Sequence, residues 1–189
     1  REVADMSREV TKIRSSAKDK SFEADIMKDI SSVTKKVEAS KRETSATGSN
    51  LAEAENILDG TVVKRIAILN EEYDAESRVY DVLNEKYSAT KSSDRLRQQA
   101  DVIYYSALED KQQADAETDD VVRMKYLSEA NKKMKSANSA LMQAISPDAK
   151  LETQSNDEIT ESILTLYNDI KAQKGMLSSP AEPLDPSRP

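Results

Sequence analysis

Neither histidine nor cysteine occurs in the chain, and this removes most of the chemistry a helical protein could perform. Without imidazole or thiolate there is no Ser-His-Asp or Cys-His unit. Zinc sites of those ligands and the Glu-x-x-His di-iron pattern of helical bundles are equally impossible. Three scattered glycines, Gly48, Gly60 and Gly175, cannot form a phosphate-cradling loop. Paired carboxylates remain as acid-base groups, but spacing singles out no pair among 35 acidic residues. The expectation is a chain that is not an enzyme and needs no cofactor or metal.

Three groupings remain with chemistry of another kind. Asp115, Glu117, Asp119 and Asp120 form an acidic cluster, yet they lack the alternating ligands, turn glycine and terminal glutamate of a calcium loop. The cluster reads instead as a helix start, with Thr118-Asp119-Asp120 giving a cap and an acidic first turn. Tyr73, Tyr80 and Tyr87 recur every seven residues, so they line one helix edge. Amphipathic rings there suit either the margin of the chain's own core or a strip that binds a partner. Tyr104 and Tyr105 are neighbours in sequence and must point about 100° apart, so one narrow seam cannot bury both. Finally, the tail from Pro180 to Pro189 places proline at every third residue, the period of a polyproline II turn. Pro183, Pro186 and Arg188 fit the outline of a groove-binding ligand. Glu182 and Asp185 stand where such grooves take apolar side chains, so a stiff linker or a tail laid along a neighbouring subunit fits better.

The chain that must position these residues is lean in apolar content, 37%, and rich in charge, 33%, with one Phe and no Trp. A thick spherical core would be hard to fill from that composition, whereas long helices each bury only a narrow stripe. The net charge is −7, and the basic residues are interleaved with acidic ones, as in Lys35-Lys36-Val37-Glu38. That pattern suits a solvated helix surface and excludes the basic face that nucleic acid requires. No apolar run approaches the ~20 residues that cross a bilayer, so membrane insertion is not expected. A chain opening on Arg1 reads as a processed protein or an excised fragment. With no cysteine, an extracellular, surface or virion location fits as well as the cytosol.

Helix breakers are sparse: no proline precedes Pro147. Apolar residues step by three and four from Val3 through Met6, Val10 and Ile13. The pattern slips near Ser21 and resumes at Ile26, Ile30, Val33 and Val37. A second seam runs Leu51, Ala54, Leu58, Val62, Ile66, Leu69, Tyr73, Tyr80, Leu83, with Gly60 inside it as a place for a kink or a close helix approach. Leu96, Ala100, Ile103 and Ala107 mark a third helix; Val121, Met124, Leu127, Met134, Leu141 and Ile145 mark a fourth, ending at Pro147. Ile159, Ile163, Leu166 and Ile170 mark a fifth, with Gly175 as its C-cap. The spacing predicts an all-α, elongated bundle of long antiparallel helices with coiled-coil-like packing and no β-sheet. Its helices are expected at about 2–45, 50–90, 94–115, 119–146 and 155–174 within a bundle spanning 1–175. Residues 176–189 form a Pro-rich extended tail.

Such a chain reads as a structural or scaffolding protein that assembles with itself or within a larger assembly through its helices. The alternative is a ligand-sensing or receptor-binding ectodomain cut from a larger surface protein; it lacks a convincing polar pocket signature, for which Tyr104, Tyr105 and Arg97 are the candidates. Candidate partner-binding residues are Tyr73, Tyr80, Tyr87, Tyr104, Tyr105, Pro183, Pro186 and Arg188.

Overall fold

A computed structural model describes residues 2–18, 23–42, 47–88, 94–148 and 157–178. Helices take up 96% of them, and no strand occurs among them. The six are α1 (Glu2–Lys18), α2 (Glu23–Arg42), α3 (Thr47–Ser88), α4 (Asp94–Ala116), α5 (Asp120–Ile145) and α6 (Asp157–Ser178). The single helix expected over 2–45 is thus described as two, on either side of the slip near Ser21. Pro183, Pro186 and Arg188 lie outside the described residues. No described helix is long and apolar enough to cross a membrane.

Helix α3 is the spine: at 42 residues it is about 60 Å long. Helices α1 and α2 run antiparallel to it in one continuing register. Arg14 meets Glu76, Asp29 meets Thr61 and Lys64, and Lys36 meets Glu53. Helix α6 is also antiparallel to α3, through Arg65 with Thr160 near one end and Glu55 with Lys174 near the other. Helices α4 and α5 form an antiparallel hairpin. Two successive antiparallel hairpins turn the direction twice, so α5 runs parallel to α3. The register is visible in two buried amides seven residues apart: Asn131 reaches the Leu69 carbonyl and Asn138 the Glu76 carbonyl, both at 2.9 Å.

The core falls into two parts strung along the spine. One gathers Met6 and Val10 of α1, Tyr73 to Leu83 of α3, Ala100 and Ala107 of α4, and Ala130 to Ala144 of α5. The other gathers α2, Leu51 to Leu69 of α3, Met124 and Leu127 of α5, and Ile163 to Ile170 of α6. Small side chains decide where helices come closest. Ala100, Ala107 and Ala114 of α4 are wholly buried, and α4 packs tightly against α5 while its backbone stays apart from that of α3.

Local signals set the ends of these helices. Asp119 caps α5 by accepting from the Val121 and Val122 amides at 2.9 and 3.1 Å, which satisfies donors that a helix start leaves orphaned. Glu23 and Asp25 open α2 while Lys41 and Arg42 close it, each matching the helix dipole. Two glycine expectations need correction. Gly175 lies inside α6 and has no positive φ, so it is not a C-cap. Gly60 is exposed in an unbroken α3, and a Cβ there would meet nothing within 4 Å; it serves no close approach. Gly60→Ala is therefore expected to raise stability by about 0.5–1 kcal/mol, through the backbone entropy glycine loses in a helix. Urea unfolding of the two proteins checks this.

Candidate protein interface

The tyrosines expected on one edge of α3 divide by depth. Tyr73 and Tyr80 are buried in the chain's own core, so they are not a free strip for a partner. Tyr87 sits at the end of α3, and its side chain lies outside those described. The reason for tyrosine at these core positions is the gap between the α3 and α4 backbones, which only long side chains bridge. The Tyr80 ring stacks on Tyr104 with centroids 4.1 Å apart and planes 9° from parallel. Its hydroxyl donates to Asp101 at 2.9 Å, which meets the polar tip's demand for a partner. Tyr73 lies under the Lys111 ammonium, 5.7 Å from the ring centroid, a cation over an aromatic face.

Enclosure shows in the acidity of these phenols. Burial, before any neighbouring charge, pushes the Tyr73 hydroxyl up to about 12. Burial and then the bond to Asp101 raise Tyr80, and burial followed by the Asp81 carboxylate raises Tyr104. The folded state therefore holds phenolic protons that the unfolded chain releases near pH 10. The stability from these neutral phenols is complete below pH 10 and is lost as the pH climbs towards 12. Urea midpoints are expected to be flat up to pH 10 and to fall above it. Phenolate absorbance from these three rings should rise with unfolding.

Tyr105 is the outward end of the aromatic row. Its ring meets Tyr104 edge to face at 5.6 Å and 66°, yet it remains 68% exposed, and Val102 one turn away is 70% exposed. The two belong to a second seam on α4, opposite the alanine-rich face that packs on α5. Arg95, Gln98, Val102, Tyr105, Glu109, Gln112 and Ala116 step by three and four, and all seven are exposed. In a chain so rich in charge, this stripe carries only Arg95 and Glu109 as ions. Sequence reasoning left open which of Tyr104 and Tyr105 faces outward and missed Val102, because the alternation on α4 that stands out is the inner one. The signal was present as a second seven-residue spacing, Arg95-Val102-Glu109-Ala116, whose members differ in character.

Other surfaces are less suited to a partner. Between α3, the start of α5 and α6 lies an open groove lined by Asp59, Val63, Asp119, Asp120 and Tyr167 among others. Burial, then Glu55 and Asp120, raise the Asp59 carboxyl while Lys174 lowers it. The acidic cluster has its carboxylates engaged in building the helix start. Glu117 accepts from the Thr118 and Asp119 amides at 3.0 Å each, and Lys111 holds Asp115. No group of three potential metal-binding side chains comes together among the described residues. Of the candidate pocket residues Tyr104, Tyr105 and Arg97, Tyr104 is stacked on Tyr80 and Arg97 lies beside Asp101 at 4.0 Å.

Comparison with known proteins finds no match: no protein family, no curated protein and no solved structure resembles the chain. The reading of function rests on the geometry.

Proposed function

We propose that this chain is a structural or scaffolding protein that acts through helix-mediated protein–protein assembly, with the outward seam of α4 as its contact surface. The observation that carries this reading is the pair Val102 and Tyr105, left 70% and 68% exposed on a helix whose opposite face is already packed. Adjacent apolar side chains left bare on a regular helix mark an interaction site more readily than a scattered exposed residue does. The aromatic row behind them adds to this. Tyr105 rests on Tyr104, which rests on Tyr80, so little rotamer freedom is lost when a partner covers the ring. Tyrosine anchors of this kind dominate protein interfaces.

The sensing-ectodomain alternative needs a polar pocket, and Tyr104 stacked on a buried ring supplies none. Light scattering over a concentration series, with small-angle scattering for shape, tests the proposal. A mass rising with concentration above the 21.0 kDa of one chain is the expected result. A constant single-chain mass, with no change of shape, would overturn self-assembly.

A further inference from the structure

We infer that the occupant of the α4 seam is the α4 seam of a second copy, laid antiparallel about a two-fold axis that passes between Val102 and Tyr105. This inference rests on the assembly reading above and specifies its partner and register. Three observations lead to it.

First, the seam has the period of a helix that pairs with another helix. Arg95, Val102, Glu109 and Ala116 form one set of heptad positions, with Gln98, Tyr105 and Gln112 as the other. Second, its centre is self-complementary in shape. When the two copies run in opposite directions, Val102 packs on Tyr105 of the second copy and Tyr105 on its Val102. A two-fold contact requires such reciprocity. Third, its charges decide the direction. Arg95 lies at the start of α4, while Glu109, the seam's one carboxylate, lies past its middle. A parallel pair would set Arg95 against Arg95 and Glu109 against Glu109. The antiparallel pair brings each Arg95 beside Gln112 of the second copy, one turn from its Glu109, so opposite charges approach at both ends. Gln98 then faces Glu109 of the second copy, amide donor to carboxylate.

The contact is small. One pair of helices about 35 Å long falls near the ~1,000 Å² a specific interface must clear, so association should lie in the micromolar range. An assembly that forms and dissolves with concentration suits a scaffold subunit.

Because the chain has no cysteine, single cysteines report the register directly. Gln98 and Glu109 are both exposed, so Gln98→Cys and Glu109→Cys should fold with unchanged melting behaviour. In the antiparallel arrangement position 98 meets position 109 of the second copy, whereas like positions lie about 16 Å apart, too far for a disulfide. Mixing the two full-length variants under mild oxidation should give roughly tenfold more covalent dimer than either variant alone. Cross-linking of each variant by itself would overturn the antiparallel register and leave the assembly reading standing. No cross-link in the mixture, with a mass that still rises with concentration, would place self-assembly on another surface; it would overturn this inference and α4 as the contact surface, and leave assembly itself standing. No cross-link and a constant single-chain mass would overturn both.

Discussion

Tyr80→Ala is expected to cost roughly 3–5 kcal/mol of stability, the range for removing a buried aromatic ring. The side chain is 4% exposed and spans a space that neither backbone fills. Its loss leaves the Tyr104 ring without the face it stacks on, and leaves Asp101 without the phenol that donates to it. The α4 and α5 helices are held together by small alanines and cannot move over to close the gap without giving up that packing. Tyr80→Phe keeps the ring and drops only the hydroxyl, so about 1 kcal/mol is expected. Urea unfolding of both variants separates the two contributions. A loss for Tyr80→Ala no larger than that for Tyr80→Phe would mean that the ring does not bridge the helices.

The second large effect belongs to a buried charge. Glu76 is 4% exposed, and Arg14 of α1 reaches it with two nitrogens, at 2.9 and 3.0 Å. Asn138 of α5 donates to the same carboxylate at 2.8 Å and to the Glu76 carbonyl at 2.9 Å. Three helices thus meet at one carboxylate. Arg14→Met leaves that carboxylate buried with the amide as its remaining described partner. The expected cost is roughly 2–4 kcal/mol, somewhat below the range for a fully buried severed pair because the Arg14 side chain keeps 24% exposure. Arg14→Met combined with Glu76→Leu removes both charges, and Asn138 keeps the backbone carbonyl. Most of the lost stability should return in the double variant, as it does where a buried ion pair is replaced by apolar packing. A double-mutant cycle with additive costs would show that the pair is not coupled.

This network was written in the sequence as omissions. The apolar seam of α3 runs Leu69, Tyr73, then Tyr80 and Leu83, and Glu76 sits in the missing place. The seam of α5 runs Leu127, Met134 and Leu141, and Asn131 and Asn138 sit in its two missing places. A seam position held by a polar residue is either a flaw in the pattern or a buried partner of another such position. For Glu76 and Asn138 it is the second, because the parallel register sets them together, whereas Asn131 donates to the Leu69 and Leu127 carbonyls. Spacing alone could not reveal that register. It depends on how many hairpins precede α5, and an isolated heptad serves a parallel neighbour as well as an antiparallel one.

The helical class and the core stripes were legible for a simpler reason. Few glycines and prolines interrupt the chain, and Ile26, Val33, Leu58, Met134 and Ile163 sit at helical spacing and are fully buried. The role of the tyrosines was not legible, because residues seven apart share a helix edge whether that edge is wet or dry. What decides it is the distance between α3 and α4, set by Ala100, Ala107 and Ala114 drawing α4 onto α5. Gly175 misled for a related reason: a glycine near the end of an apolar pattern resembles a cap, while α6 continues to Ser178.

The stability of the aromatic row and the function assigned to its outer end are linked but separable. Tyr80 and Tyr104 hold α4 in place, whereas Val102 and Tyr105 contribute little to the fold of one chain because they stand in solvent. That separation makes the central claim testable without unfolding the protein. The most direct measurement is sedimentation equilibrium of Val102→Glu/Tyr105→Glu beside the natural sequence. Four carboxylates would then crowd the centre of a two-fold contact. Association is expected to weaken by about 100-fold or more, corresponding to the loss of a hot-spot cluster, with the melting temperature nearly unchanged. Equal association of the two proteins over the same concentrations would contradict the assignment of α4 as the contact surface.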